Sequence, residues 1–222
     1  VVTDCLSDIL FCPTSVAKDN LTLEGKEDKA FLVGDIMYDS FLYYQNKLET
    51  AKILSSFDLK NKQYFLVTIH RAENTDNPDN IKNIFSSLKT FLPNVDIVIP
   101  LHPRTKKVLK ELNFSLDGFN VINPVSYQFM ISLLSGSRVV ITDSGGLQKE
   151  AYFSKTPCVT VRDETEWVET LDYGWNRISP PSNKNDIISS IKSALEVDVH
   201  NSKYYEIYGD GKAAEKIISQ LL

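Results

Sequence analysis

The stretch of this chain whose residues are best suited to chemistry joins an apolar run, residues 139–141, to a segment with helical spacing. It reads Thr142-Asp143-Ser144-Gly145-Gly146-Leu147-Gln148-Lys149-Glu150. A buried strand that turns into a helix at Ser-Gly-Gly directs free backbone N–H groups and the positive end of the helix dipole at one point, where phosphate binds. Glu150 lies one helical turn further on, where it can accept hydrogen bonds from hydroxyls of the same ligand. A nucleotide with its ribose fits this pattern.

Three other apolar runs, residues 64–68, 97–100 and 158–161, are also followed by side chains that bind anions or move protons. These side chains are His70, Arg71 and Glu73 after the first run, His102 and Arg104 after the second, and Arg162 after the third. In an open parallel sheet, ligands bind beyond the carboxyl ends of the strands. We therefore expect these residues to meet the Ser-Gly-Gly turn at one edge of a sheet and to share an anionic ligand.

Each of these residues also has a purely structural explanation. The alternatives are a plain turn for Ser144-Gly145-Gly146, an exposed helix position for Glu150, a strand cap or a Glu73 partner for His70, a proline-held turn for His102 and Arg104, and a surface ion-pair cluster for Arg162. No single motif decides between the two interpretations. Their joint occurrence after neighbouring strands favours a ligand site.

The segments that would position these residues alternate between strand-like and helix-like patterns. Strand-like runs are found at 9–12, 30–33, 64–68, 97–100, 120–122, 139–142 and 158–161, and helical spacing at 80–91, 105–112, 127–134, 146–153 and 185–195. This order predicts an α/β fold with a Rossmann-like, mainly parallel sheet covered by helices on both faces. No repeat or linker interrupts it, so we expect one domain of six or seven strands over residues 1–222, with a last helix entered at Gly209-Asp210-Gly211.

Composition excludes several classes of function. The 222 residues carry a net charge of −5 and are 42% hydrophobic, which indicates a globular protein without the basic field that nucleic-acid binding needs. The three cysteines form no CxxC pair and leave one thiol unmatched, which argues against a disulfide framework or a structural zinc site. No run is long enough for a membrane span and the start lacks a signal-peptide pattern. We therefore expect a cytoplasmic protein with no metal and no membrane or nucleic-acid partner.

Several ordered motifs resemble those of the non-hydrolysing UDP-N-acetylglucosamine 2-epimerases. They are Val67-Thr68-Ile69-His70-Arg71-Ala72-Glu73-Asn74, Pro100-Leu101-His102-Pro103, Thr142 to Ala151, Arg162-Asp163-Glu164-Thr165-Glu166, Val33-Gly34-Asp35-Ile36-Met37-Tyr38-Asp39 and Tyr208-Gly209-Asp210-Gly211. The resemblance covers essentially the whole chain. It implies that residues 1–222 are the carboxyl-terminal, nucleotide-binding half of a GT-B-type fold. Residues 1–20 resemble the end of the amino-terminal domain and the crossover, and the rest of that domain is expected to be absent.

The resemblance also implies a reaction, the inversion at C2 of UDP-N-acetylglucosamine to UDP-N-acetylmannosamine by elimination and re-addition of UDP. The ligands would be UDP and the UDP-amino sugar, with no cofactor, and the full-length protein would form a homodimer. Ser144, Gly145 and Gly146 would hold phosphate, Glu150 would accept from the ribose hydroxyls, and His70 would be the catalytic donor to the leaving diphosphate. The other substrate-binding candidates are Arg71, Glu73, His102, Arg104, Arg162 and Met130, the last within a segment, 124–130, that corresponds to the family's uracil-binding region.

Met130, Trp167 and Val168 depart from residues that are common in the family, which leaves the sugar open. The runs Thr165-Glu166-Trp167-Val168-Glu169-Thr170 and Gly174-Trp175-Asn176 also resemble relatives that act on UDP-2,3-diacetamido uronic acids. Two other functions keep the UDP site. One is a GT-B glycosyltransferase, which would require an acceptor, and the other is a nucleotide-binding module, which is what we expect of this chain on its own.

Overall fold

The computed structural model describes residues 2–222. Its helices and strands are α1 Val2–Leu6, β1 Leu10–Cys12, α2 Ser15–Leu23, β2 Ala30–Leu32, α3 Ile36–Gln45, α4 Thr50–Ser56, β3 Tyr64–Thr68, α5 Ala72–Thr75, α6 Pro78–Lys89, β4 Asp96–Pro100, α7 Pro103–Glu111, β5 Asn120–Ile122, α8 Tyr127–Gly136, β6 Val139–Thr142, α9 Gly145–Phe153, β7 Cys158–Thr160, β8 Asn176–Ile178, α10 Lys184–Leu195 and α11 Ala213–Leu221. Within residues 2–222, no helix is long and apolar enough to cross a membrane. Cys5, Cys12 and Cys158 are free thiols.

The contacts divide the chain into two units, the described residues up to Lys47 together with Tyr204–Leu222, and Leu48–Lys203. The larger unit contains a six-stranded sheet in the order β5-β4-β3-β6-β7-β8, in which all neighbours are parallel. From β3 the chain builds outward to β4 and β5, then returns to the other side of β3 with β6. The strand order therefore reverses between β3 and β6, and such a reversal opens a crevice beyond the strand ends.

Side chains alternate between the two faces of this sheet, and each face has its own apolar core. Phe65 and Val67 of β3 pack on the face covered by α6, α7 and α10, whereas Tyr64 and Leu66 pack on the face covered by α4, α8 and α9. All five residues of β3 are buried. This two-sided burial is why the central strands read as continuous apolar runs. The predicted α/β class, with a parallel sheet covered by helices on both faces, is confirmed.

Helix α6 shows how local sequence specifies an element of this sandwich. The Asn77 side chain accepts hydrogen bonds from the backbone N–H groups of Asp79 and Asn80. Pro78 occupies the first turn, where a backbone N–H would have no partner within the helix, so the missing N–H of proline costs nothing. The buried residues follow one helical stripe and are Ile81, Ile84, Phe85, Ser87 and Leu88. The cap and the stripe together fix where the helix begins and which face meets the sheet.

The sequence predicts six or seven strands within one domain, and residues 2–222 form eight strands in two sheets. Strands β1 and β2 pair with each other in a separate two-stranded parallel sheet. Strand β8 was not predicted, because its three residues include the polar Asn176 and Arg177 at the sheet edge. Apolar periodicity indicates that a strand exists but not which strand is its partner. The assignment of residues 1–20 to the end of a preceding domain stays a prediction.

In the smaller unit, two of the family-like motifs come together. Asp35 donates its backbone N–H to the carbonyl of Tyr208, and a Cβ at Gly34 would lie 3.0 Å from that same oxygen. Gly34 has a φ of +92°, which only glycine adopts readily. The Asp39 carboxylate accepts the backbone N–H groups of Ala213 and Ala214 at the start of α11. These two motifs therefore join chain segments that are far apart in the sequence.

Candidate functional site

An open cavity of about 350 Å³ lies beyond the carboxyl ends of β3, β4 and β6, at the place where the strand order reverses. Its walls come from the turns after these strands, from α9 and from the start of α8. The lining residues are Thr68, His70, Pro100, His102, Pro124, Val125, Met130, Ser144, Gly146, Leu147 and Glu150. The hydroxyls of Thr68 and Thr142, the last residues of β3 and β6, are 2.7 Å apart and fix these two strand ends to each other.

Helix α9 begins at this cavity with Ser144 as its N-cap. The Ser144 hydroxyl accepts the Leu147 backbone N–H at 3.4 Å, and the Ser144 N–H donates to the Thr142 hydroxyl at 3.0 Å. The N–H groups of the first helical turn have no partner within the helix and carry the positive end of its dipole. Because α9 is nine residues long and its first residues are Gly145 and Gly146, an anion can approach this end closely.

Glu150 lies in the same wall, one turn along α9. Only 6% of its surface is exposed, and this burial raises the pKa of its carboxyl to about 7, although a hydrogen bond to Tyr127 and the charge of Lys149 oppose the shift. A carboxyl that titrates near neutral pH in a cavity is typical of a functional site. As a carboxylate it can accept hydrogen bonds from ligand hydroxyls.

Two imidazoles lie side by side in the cavity lining, with the ring centroids of His70 and His102 5.5 Å apart. His102 caps α7, because its Nδ1 accepts the Arg104 backbone N–H at 3.2 Å. In a neutral ring this acceptor role places the proton on Nε2, where it can be donated to a ligand. His70 follows β3, and the turn that carries it is held by a hydrogen bond from the Thr105 hydroxyl of α7 to the Ile69 carbonyl.

Beside the start of α9, the Glu166 carboxylate bridges two arginines. Its Oε1 lies 3.3 Å from Arg71 Nη2, and its Oε2 accepts from Arg162 Nη1. Burial opposes ionisation of Glu166, but the hydrogen bonds to its own backbone and to Arg162, with the charges of both arginines, hold the pKa of its carboxyl below the ordinary value. A Cβ at Gly145 would lie 3.0 Å from Glu166 Oε1 and 3.2 Å from Arg71 Nη2. The cluster therefore adjoins the anion-attracting end of the helix.

The structure brings six of the predicted site residues to the cavity wall: His70, His102, Met130, Ser144, Gly146 and Glu150. Gly145 and Arg71 adjoin it at the start of α9. Glu73 and Arg162 line a neighbouring cleft of about 170 Å³. Arg104 is exposed and its guanidinium pairs with Asp76. Arg104 does not line the cavity, and its pairing with Asp76 is not indicated by any local pattern in the sequence.

Sequence reasoning gave no role to Asp143, although it stands in the strongest motif. The structure places its carboxylate in full burial against the turn that carries His70. The signal that could have identified Asp143 is its position, an acidic residue between a buried strand and the Ser144-Gly145-Gly146 turn. Thr68 and Leu147, which also line the cavity, carry no such signal. Among residues 2–222, no group of three or more His, Cys, Asp or Glu side chains is arranged to hold a metal ion.

Comparison with known sequences identifies the family. The family model described as UDP-N-acetylglucosamine 2-epimerase matches residues 1–222. A Methanococcus maripaludis protein named UDP-N-acetylglucosamine 2-epimerase homolog is 42% identical over 228 residues, covering 100% of this chain and 62% of its own length. The Pseudomonas aeruginosa UDP-2,3-diacetamido-2,3-dideoxy-D-glucuronate 2-epimerase is 43% identical over 225 residues, covering 100% of this chain and 61% of its own length. The chain thus spans about three fifths of the length of these relatives.

Solved structures agree. The crystal structure of Methanocaldococcus jannaschii UDP-GlcNAc 2-epimerase in complex with UDP-GlcNAc and UDP superposes with a TM-score of 0.88 at 36% identity, covering 99% of this chain and 62% of that one. The Neisseria meningitidis UDP-GlcNAc 2-epimerase bound to UDP-GlcNAc gives a TM-score of 0.86 at 29% identity, with coverage of 99% and 62%. The resemblance read from the strand-end motifs is confirmed, and the chain belongs to the UDP-N-acetylglucosamine 2-epimerase family.

Proposed function

We propose that this chain is the UDP-binding part of an enzyme that inverts C2 of UDP-N-acetylglucosamine to give UDP-N-acetylmannosamine. The observation that carries the proposal is the single cavity wall in which the Ser144-Gly145-Gly146 start of α9 lies one helical turn, counted from Gly146, before the buried Glu150. An anion-binding end and a hydroxyl acceptor at this spacing match the diphosphate and ribose of one nucleotide. Membership of the epimerase family supports the same ligand.

We assign the parts of the nucleotide to the parts of the wall. The N–H groups of Gly145 and Gly146 and the Ser144 hydroxyl hold the diphosphate, and Glu150 accepts from the ribose hydroxyls. The apolar edge formed by Pro124, Val125 and Met130 packs against the uracil. Arg71 and Arg162 add positive charge beside the diphosphate, but each is also engaged by Glu166.

The chemistry is an elimination followed by an addition. Removal of the C2 proton leaves its electron pair to form the C1–C2 double bond of a 2-acetamidoglucal, while the C1–O pair leaves with UDP. Return of UDP to C1 and protonation of C2 on the opposite face complete the inversion. Negative charge builds on the diphosphate as the C1–O bond breaks, and a hydrogen-bond donor placed there stabilises it. His70 is assigned this role, and the neighbouring His102 supports it.

The C2 proton transfers are assigned to carboxylates outside these 222 residues, following the family resemblance. Free UDP must stay bound between elimination and addition, so tight nucleotide binding is part of the mechanism. This task falls to the α9 wall.

The test is exchange of the C2 proton with solvent in the full-length protein. In deuterium oxide, UDP-N-acetylglucosamine without any acceptor should gain deuterium at C2 and yield the manno epimer, as followed by NMR. The Ser144→Ala and Glu150→Gln variants should lower UDP affinity in calorimetric titration by about tenfold each, a loss of about 1.4 kcal/mol. Absence of exchange with every UDP-2-acetamido sugar, or a requirement for an acceptor, would contradict the epimerase assignment.

A second sugar has specific support. The Pseudomonas aeruginosa relative at 43% identity carries the name of a UDP-2,3-diacetamido-uronate 2-epimerase, and the 165–170 run resembles such relatives. The ratio of kcat/KM for the two sugars decides between them. A ratio that favours the uronate by tenfold or more would move the assignment to that substrate.

We also propose that the full-length protein is a cytoplasmic homodimer. The supporting observation is the family membership alone. Light scattering of the purified full-length protein tests the oligomeric state, and cell fractionation tests the location.

A further inference from the structure

Asp143 sits at the junction between β6 and α9 and is fully buried. Its carboxylate accepts the backbone N–H of Arg71 at 2.9 Å and that of His70 at 3.0 Å. It also accepts the Asn74 side-chain amide at 3.1 Å, and this same amide donates to the Val161 carbonyl at 3.0 Å. One carboxylate therefore connects the turn after β3, the end of β6 and the residue that follows β7.

The two oxygens of this carboxylate have different neighbours. Oδ2 accepts all three N–H groups, those of His70, Arg71 and Asn74. Oδ1 accepts only a second, 3.1 Å contact from the His70 backbone N–H, and it lies 3.6 Å from His70 Nδ1. The backbone of the turn is thus held by Oδ2, while Oδ1 faces the imidazole.

A buried carboxylate is costly unless hydrogen bonds and a nearby positive or polarisable group compensate it. Three N–H donors explain why Asp143 can be buried as an anion. They do not explain why its other oxygen is directed at an imidazole that lines the cavity. A carboxylate beside one ring nitrogen of a histidine places the proton on that nitrogen and sets the ring orientation.

We propose that Asp143 is a positioning residue for His70. It holds the ring with the Nδ1 proton toward the sheet, which leaves Nε2, on the far side of the ring, for the ligand in the cavity. The titratable groups near His70 besides Asp143 are His102, whose ring lies 5.5 Å away, and Glu150, which lines the same cavity, and Arg71 is next in the chain. Asp143 Oδ1 is the acidic oxygen at Nδ1, so we assign the tautomer to it. Only the consequence for turnover rests on the proposed epimerase function.

The separation of the two oxygens makes Asp143→Asn an informative variant. The three N–H donors require the amide oxygen at the Oδ2 position, which puts the amide nitrogen at the Oδ1 position. The turn then keeps its three hydrogen bonds to the oxygen at the Oδ2 position and loses only the second, 3.1 Å contact of the His70 backbone N–H, while the atom facing the His70 ring changes from an acceptor to a donor. We expect the His70 proton to move from Nδ1 to Nε2.

Nitrogen-15 NMR of the histidine-labelled full-length protein reads this change directly, with the His70 signals assigned by their loss in a His70→Asn variant. The wild type should show the Nδ1–H form and Asp143→Asn the Nε2–H form, whereas the control Asp163→Asn, which removes an exposed carboxylate, should match the wild type. An Nε2–H form of neutral His70 in the wild type would overturn the proposal without any Asp143 variant. Equal spectra in wild type and Asp143→Asn would overturn it as well.

Turnover gives a second, independent test. Asp143→Asn should lower kcat by about 10²-fold while KM changes less than about threefold, and it should cause no further loss in a His70→Asn background. Losses that multiply in the double variant would show that Asp143 does not act through His70. If the wild-type enzyme shows no C2 exchange, the proposed function fails, and the NMR comparison still decides the Asp143–His70 proposal.

Discussion

At the residue scale, Glu150 is buried within α9 and also lines the cavity that we assign to the nucleotide. Burial disfavours the charged carboxylate of Glu150, and its neighbours compensate only in part. In the folded chain the pKa of this carboxyl is therefore raised to about 7. The same carboxyl in the unfolded chain releases its proton near its ordinary pKa. The site therefore contains a destabilising charge at the pH where the enzyme would work, and this is common where function requires a buried ionisable group.

This difference predicts a pH dependence of stability. Because the folded-state pKa is raised, the contribution of Glu150 is fully present below about pH 4.5 and is lost as pH rises through about 7. Without ligand, the free energy of unfolding of the wild type relative to Glu150→Gln should fall by about 2 to 3 kcal/mol between pH 4 and pH 8. Urea unfolding at both pH values measures it, with Glu164→Gln as an exposed-site control. Parallel curves for wild type and Glu150→Gln would contradict the buried titration.

A second prediction concerns Glu166, whose carboxylate neutralises Arg71 and Arg162 beside the start of α9. A diphosphate bound there must compete with this carboxylate for the two guanidinium groups. We expect Glu166→Gln to raise UDP affinity by about three- to tenfold at low salt, since the arginines are freed and a repulsive charge is removed. Calorimetric titration measures it, and Glu164→Gln controls for the same change in net charge. Weaker binding of UDP would instead mean that Glu166 is needed to orient the arginines.

The residues of the cavity wall could be predicted from the sequence, whereas not all of their ion-pair partners could. Ser144, Glu150 and His70 could be placed at one cavity because they follow neighbouring buried strands. The pair of Arg162 with Glu166 is local, and the sequence offered an ion-pair cluster there as an alternative. The partner of Arg71 could not be predicted, since Glu166 is 95 positions away and only the folded chain brings them together.

At the scale of elements, α8 packs closely against α4 and β3 at Gly136. A Cβ at Gly136 would lie 2.6 Å from Leu54 Cδ1 of α4 and 2.9 Å from the Tyr64 hydroxyl of β3. The Tyr64 hydroxyl in turn donates to the Leu133 carbonyl of α8. This close approach sets the position of α8, whose first turns include Met130 at the cavity.

The same contact gives a stability prediction. Gly136→Ala should lower the free energy of unfolding by about 1 to 3 kcal/mol, because the methyl group has no room without moving Leu54 or Tyr64. Ser135→Ala is the control on the same helix, since its buried hydroxyl has no hydrogen-bond partner among the described residues and its loss should cost nothing. Chemical denaturation of both variants tests this. Equal stability of the two variants would show that the α4–α8 contact gives way.

The sequence located seven of the eight strands that residues 2–222 form and missed β8. The run that forms β3 begins with four apolar residues and was located without error. The edge strand β8 was missed because two of its three residues are the polar Asn176 and Arg177. That β1 and β2 leave the main sheet could not be inferred, because strand pairing depends on contacts between distant segments.

At the scale of the whole molecule, the chain spans about three fifths of the length of its relatives and contains the cavity wall that we assign to the nucleotide. We predict that the 222-residue chain by itself folds and binds UDP about tenfold or more weakly than the full-length protein, a difference of at least about 1.4 kcal/mol. It should catalyse no C2 exchange, since the carboxylates assigned to that step lie elsewhere. Calorimetry and NMR in deuterium oxide check both points, and exchange by the chain alone would place the proton-transfer groups within it.

The adjacency of β3 and β6 has a consequence for how the site comes into being. Phe65 pairs with Val139 and Thr68 with Thr142, so closing this pair brings together strands that are separated in sequence by β4, β5 and the four helices α5 to α8. Such a long loop closure costs entropy before any contact rewards it and slows folding. A nascent chain that ends before β6 lacks the α9 wall of the cavity, whatever else has already folded. Under the proposed function, nucleotide binding during synthesis would therefore mark the moment at which β6 has paired with β3.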